Sequence, residues 1–248
     1  MPRANRYVEP GHTYHVTHRC HDRSYLFRFA KDRHTYRMML RDRLKLYEIS
    51  LLTYCITSNH THLLLRVRDH QTESLSRFMQ SLEGDFAQYY NLRKKRAGAF
   101  WWDRYHATMI QDGGHLWRCM AYIDLNMVRA GKVSHPSEWE WTGYRELMGE
   151  RKRNLLIDQT ALCRALDLDR SDGMDAFRRE HEARIEETLS NQNLRRQPIW
   201  TESVAVGERK WVKAVGENLR NRQVVVIEEQ SDQENTWLVK EAHAKYSF

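Results

Sequence analysis

The stretch LLTYCITSNHTHLLLRV, residues 51–67, decides the fold. Residues 51–57 (LLTYCIT) are a short apolar run of strand composition, and Ser58-Asn59 is turn-like. Residues 60–67 (HTHLLLRV) read as a second strand, so the whole stretch predicts a β-hairpin. Upstream, residues 12–19 (HTYHVTHR) alternate, with Tyr14 and Val16 on one face, and predict another strand. Residues 32–47 scatter Met38, Met39, Leu40, Leu44 and Leu46 among charges, which predicts an amphipathic helix with Asp32 as its N-cap. Downstream, residues 72–92 carry Leu75, Phe78, Met79, Leu82, Phe86 and Tyr89 at helical spacing, weakened locally by Gly84. Residues 100–110 (FWWDRYHATMI) read as extended. After Gly113-Gly114, residues 115–129 (HLWRCMAYIDLNMVR) predict one helix closed by Gly131. Strand, helix, strand, strand, helix, strand, helix is the split βαβ order of a ferredoxin-like α+β domain, an antiparallel sheet with helices on one face.

The rest of the 248 residues divides from this core by composition. Residues 1–150 hold 23 Lys+Arg against 16 Asp+Glu and 11 of the 13 histidines, whereas residues 151–248 hold 17 of each charge. The basic excess therefore sits entirely in the first part, which favours a polyanionic partner such as nucleic acid. The expected division is a catalytic or binding domain over 1–149 and a mostly helical extension over 150–248. In the extension, 155–168, 174–189 and 208–219 read as helices and 224–228 as a strand. The four cysteines, Cys20, Cys55, Cys119 and Cys163, are scattered and form no C-x-x-C pair, which points away from a disulfide framework and toward a reducing cytoplasm. No apolar run reaches the roughly 20 residues of a membrane span, and no membrane partner is expected.

Two constellations carry chemistry. His60 and His62 lie two apart on a predicted strand, on one face, with Cα atoms about 6.5–7 Å apart, so both imidazoles are placed to converge on a divalent cation. The structural alternative is a pair of solvated polar residues beside a hairpin turn. Tyr122 and Asn126 lie four apart on a predicted helix and share a face. A tyrosine hydroxyl serves as a covalent nucleophile when it is activated and its electrophile is held in line. There the alternative is a core aromatic followed by a helix-terminal Asn. A third feature is the basic run Arg93, Lys94, Lys95 and Arg96 beside Phe100, Trp101 and Trp102, matched near the N-terminus by Arg3 and Arg6 with Tyr7. Cations of that kind follow a phosphate backbone, and aromatics stack on bases.

The segments TSNHTHLLLRV, MQSLEGDFAQYYNLRKKRAGAFWWDRYHATMI and YIDLNMVRAG occur in this order within residues 7–146. They resemble the single-tyrosine transposases of the HUH superfamily, and most closely the REP-associated tyrosine transposases. The resemblance implies a ferredoxin-like fold in which His60 and His62 bind a divalent cation, Mg²⁺ or Mn²⁺, and Asn126 supplies a further ligand. It implies that Tyr122 attacks a phosphodiester of single-stranded DNA beside a hairpin and forms a covalent 5′-phosphotyrosine. The implied setting is a cytoplasmic, nucleoid-associated monomer or homodimer. Thr61 departs from the bulky apolar residue usual between the histidines, and Met127 from a common proline. Neither change removes a functional group. Two other readings remain open: a hairpin-binding protein that no longer cleaves, and a metal-dependent hydrolase that uses water without a covalent step.

Overall fold

The computed structural model describes residues 7–68, 74–168, 172–192, 194–222 and 224–242. Arg3 and Arg6 lie outside the described residues. In chain order the elements are β1 (Thr13–Arg19), α1 (Ala30–Leu46), β2 (Ser50–Ile56), β3 (His60–Arg66), α2 (Ser74–Lys94), β4 (His106–Ile110), α3 (Gly114–Asp124) and α4 (Asn126–Arg129). They continue with α5 (Tyr144–Leu147), α6 (Gln159–Ala165), α7 (Gly173–Ser190), β5 (Ala205–Gly207), α8 (Arg209–Asn221), β6 (Val226–Gln230) and β7 (Trp237–Glu241). Among the described residues, no helix is long and apolar enough to cross a membrane.

The fold is the expected α+β class, and its sheet order is β2-β3-β1-β4-β5-β7-β6. The first four strands pair antiparallel, with β1 central between β3 and β4, as the split βαβ pattern requires. Strand alternation then sorts the faces. Thr61 points toward Tyr36 of α1, and α1 in turn meets α2 through the Arg43–Ser81 hydrogen bond (2.7 Å) and Tyr36 against Phe86. His60 and His62 belong to the other face, where α3 lies. Thr61 is almost completely buried, so the smaller residue between the histidines is absorbed by the core on the α1 side.

The sheet does not stop at residue 149. β5 adds parallel to β4, and β7 and β6 extend the sheet beyond it, so residues 205–241 carry three strands of the same seven. α7 packs on α3 through stacked Trp117 and Phe177 rings, with centroids 4.9 Å apart.

Several local expectations are corrected. α1 starts at Ala30 after Phe29, so Asp32 sits in its first turn rather than at its N-cap, and its carboxylate is held by Arg93. Residues 100–110 are not uniformly extended: only 106–110 form a strand, while Phe100 is buried in the core. The helix expected over 115–129 breaks at Leu125, whose ψ of 3° lies off the helical value, and resumes at Asn126. Its end is as expected. Gly131 takes a φ of +62°, and Lys132 N–H reaches back to the Met127 carbonyl at 3.0 Å. The helix predicted over 155–168 is confined to α6.

Candidate active site

β3 and the α3–α4 junction bring His60, His62, Tyr122 and Asn126 into one site. The antiparallel register sets Thr17 opposite His62 and Arg19 opposite His60, so the central strand β1 supports both histidines. His62 is completely buried. Its Nε2 lies 2.9 Å from Asn126 Nδ2, and its ring centroid lies 6.2 Å from that of Tyr122, nearly edge-on. The His60 and His62 centroids are 4.8 Å apart. The break at Leu125 does not separate Tyr122 from Asn126 functionally, because both still face His62.

His15, which the sequence reading passed over, completes the cluster. It stacks on His62 with centroids 5.0 Å apart, and its Nε2 lies 2.8 Å from His62 Nδ1. Period-two alternation on β1 was the available signal, since it separates His15 from Tyr14 and Val16 and turns it to the His62 face. Arg129 was missed as well. Its Cζ sits 4.1 Å above the Tyr122 ring, and its Nη2 donates to the Tyr122 carbonyl at 3.1 Å.

The electrostatics follow from burial among like charges. Burial pushes His15 down to about 3, helped by His106 and Arg129 and opposed by the hydrogen bond to the Trp200 carbonyl. Burial, Arg19 and Arg129 push His60 down to about 3. His62 falls well below the usual imidazole value through burial, His60 and His15. All three imidazoles are therefore neutral near pH 7, the form in which a ring nitrogen offers a lone pair. Burial raises the Tyr122 phenol above its ordinary value, and Arg129 and Arg196 pull it back.

Among the described residues, no three His, Cys, Asp or Glu side chains surround a common cation position. The donors present are two imidazoles and one amide, and their chemistry fits a divalent cation. His60 Nδ1 lies 2.7 Å from Asn59 Oδ1, an acceptor, so that nitrogen donates and leaves the lone pair on Nε2. His62 Nε2 meets the amide of Asn126, a side chain that also carries an oxygen donor. Two neutral imidazoles with an amide oxygen form a mixed nitrogen and oxygen set.

A cleft of about 420 Å³ opens beside Tyr122 between α3, α7 and the segments around Arg195 and Gln233. Arg118, Arg129, Arg184 and Arg195 line it and outnumber Glu187, Asp232 and Glu234. The basic run 93–96 is placed elsewhere. Arg93 is bound to Asp32, Lys94 Nζ sits 4.1 Å over the Phe29 ring, and Arg96 donates to the Ala99 carbonyl at 2.8 Å. Of the neighbouring tryptophans, Trp101 stacks on His18 while Trp102 is about half exposed.

Residues 9–126 match the family described as "Transposase IS200 like". No curated protein matches the chain. One similar solved structure is a REP-associated tyrosine transposase bound to a REP hairpin. It has a TM-score of 0.53 and 17% identity, covering 64% of this chain and 93% of that one. Another is a crystal structure described as a transposase from Deinococcus radiodurans, with a TM-score of 0.34 and 18% identity, covering 43% of this chain and 84% of that one.

Proposed function

We propose that the chain, whose residues 9–126 match the family described as "Transposase IS200 like", nicks and rejoins single-stranded DNA beside a hairpin. The observation that carries this reading is the joint placement of Tyr122 and Asn126 against His62. The α3–α4 junction thereby presents a nucleophile and a ligand to the histidine strand. His60 Nε2, His62 Nε2 and the Asn126 amide oxygen would hold a divalent cation, Mg²⁺ or Mn²⁺. When bound, such a cation supplies charge stabilisation to a phosphate oxygen and helps orient it.

The chain's own residues supply the remaining steps. The Tyr122 oxygen forms a bond to phosphorus, the bond from phosphorus to the 3′-oxygen breaks, and the DNA 5′-phosphate stays on Tyr122. The phenolic proton passes to water in the cleft, and the departing 3′-oxygen takes up a proton. Arg129, stacked on the ring, and Arg196 favour the phenolate that the attack requires. Reversal by a 3′-hydroxyl rejoins the strand, and the reaction needs no nucleotide cofactor because the phosphoester bond energy is retained.

The arginines of the cleft suit a phosphate backbone leading to Tyr122. Lys95 and the exposed parts of Arg93, Lys94 and Arg96 suit a more distant stretch of DNA, and a hairpin fits the DNA named for the solved relative. The test is labelled single-stranded DNA carrying a hairpin, incubated with the protein and Mg²⁺ or with a chelator. Metal-dependent nicking that leaves label on the protein supports the reading. Nicking with all label free would favour hydrolysis by water. Hairpin binding without nicking would favour a binding protein.

A further inference from the structure

In a neutral imidazole one ring nitrogen donates and the other accepts, so a partner at one nitrogen fixes the role of the other. Trp200 closes a short turn, Pro198–Trp200, in the C-terminal part of the chain. Its carbonyl lies 2.8 Å from His15 Nδ1, and a carbonyl only accepts. His15 Nδ1 therefore carries the proton, and His15 Nε2 carries the lone pair. That Nε2 lies 2.8 Å from His62 Nδ1, which must then donate. The lone pair of His62 is left on Nε2, the atom facing Asn126.

The contact at the far end agrees with this direction. There the amide nitrogen of Asn126 approaches His62 Nε2 at 2.9 Å, and an amide N–H donates. His15 and His62 are both fully buried, and burial disfavours a second proton on either ring. The Trp200 carbonyl is itself held in place. Trp200 is fully buried, its Nε1 donates to Gln197 Oε1 at 2.6 Å, and the chain just beyond is tied to β4 where Thr108 Oγ1 donates to the Ser203 carbonyl at 2.8 Å.

We propose that the Trp200 carbonyl and His15 form a positioning relay that holds His62 in its Nδ1–H tautomer and so aims its Nε2 lone pair into the cation site. Through the Trp200 carbonyl the C-terminal extension then shapes the cation site without itself ligating the cation. The consequence for binding rests on the reading of His62 as a ligand, whereas the tautomer itself does not. Without the relay, His62 has access to the Nε2–H tautomer, which has no lone pair on that atom. Outer partners of this kind typically change metal affinity by about 10–100-fold.

The experiment uses the full chain. Nitrogen-15 NMR of the imidazoles in metal-free wild type is expected to show the proton on Nδ1 in both His15 and His62. His15→Gln places an amide oxygen where Nε2 stood and keeps an acceptor. It should retain the His62 tautomer and hold the Mn²⁺ Kd within about threefold, against the 10–100-fold scale of a lost outer partner. His15→Phe keeps a ring of similar bulk without the acceptor. It should give a mixed His62 tautomer and raise the Mn²⁺ Kd about 10–100-fold. A wild-type His62 protonated on Nε2 overturns the relay, as does a His15→Phe protein that keeps both the tautomer and the affinity. Should wild type bind no Mn²⁺, the ligand reading fails, while the wild-type spectrum still decides the relay. Should His15→Phe fail to fold, the wild-type spectrum and the Gln variant decide it.

Discussion

His62 and His181 are both fully buried and both serve the segment that follows Trp117, yet their partners differ in kind. His62 faces an imidazole and an amide, with two guanidinium groups acting on it. His181, on α7, faces a carboxylate, with its Nε2 2.8 Å from Asp124 Oδ2. Asp124 is satisfied further by Thr53 and Thr142, whose hydroxyls donate to Oδ1 at 3.1 and 3.2 Å. Tyr122 and Asp124 are two residues apart and leave α3 about 200° apart, so one face of the helix meets the histidine strand and the other is clamped to α7. A histidine paired with a buried acid is a fastening. A histidine kept among neutral donors and cations retains a lone pair for a ligand. Exchange of partners, more than residue type, separates structure from chemistry here.

The comparison is sharpest at Tyr122. Tyr122→Phe keeps the packing under Arg129 and removes the nucleophile, so cleavage and adduct should be abolished while hairpin affinity changes little. An electrophoretic binding assay run beside the cleavage assay separates the two, and a residual adduct would send the search to Tyr89 or Tyr90. On the fastening side, Asp124→Ala leaves His181 without its acid and should cost about 3–5 kcal/mol of stability. Denaturant titration measures that loss, and Mn²⁺ affinity per folded molecule should stay at the wild-type value. A drop in affinity larger than the drop in stability would dissolve the distinction between the two sites.

His62→Ala or His60→Ala should do the reverse, lowering Mn²⁺ affinity at least about tenfold, or 1.4 kcal/mol, and costing less stability than Asp124→Ala. Calorimetric titration checks this, and equal affinities would remove the metal assignment. Asn126 divides the readings more finely. Asn126→Asp keeps an oxygen donor and should retain binding, whereas Asn126→Leu should weaken it.

A further effect concerns acid. The folded values of His15 and His62 lie below 6.5, so the unfolded chain takes up their protons first as pH falls. Metal-free protein should hold its full contribution from these rings above about pH 6.5 and lose up to about 1.4 kcal/mol per pH unit per ring below it. Melting temperature against pH is the check, and a flat profile from pH 7 to 4 would mean that the rings are not held neutral.

The hairpin at residues 51–67 and the helix pattern made the first four strands legible, because period two and period 3.6 are local signals. His60, His62, Tyr122 and Asn126 were legible through spacing and through the family resemblance. His15 was not, since its partner is 47 residues away and only the β1–β3 register brings them together. Trp200 contributes a carbonyl, which no side-chain pattern announces. β5 and β7 escaped notice because three- and five-residue strands leave little periodicity to read. The Asp124–His181 pair joins two helices 57 residues apart, again a tertiary fact.

The central claim, that Tyr122 attacks DNA at a site built on His60, His62 and Asn126, is tested most directly by mapping the attachment point. Wild-type protein is reacted with hairpin-bearing single-stranded DNA and Mg²⁺, digested with nuclease and protease, and the peptides are read by mass spectrometry. A 5′-phosphonucleotide is expected on the peptide containing Tyr122, formed only with the divalent cation and absent from Tyr122→Phe. A nucleotide found on another residue, or cleaved DNA with no modified peptide at all, would contradict it.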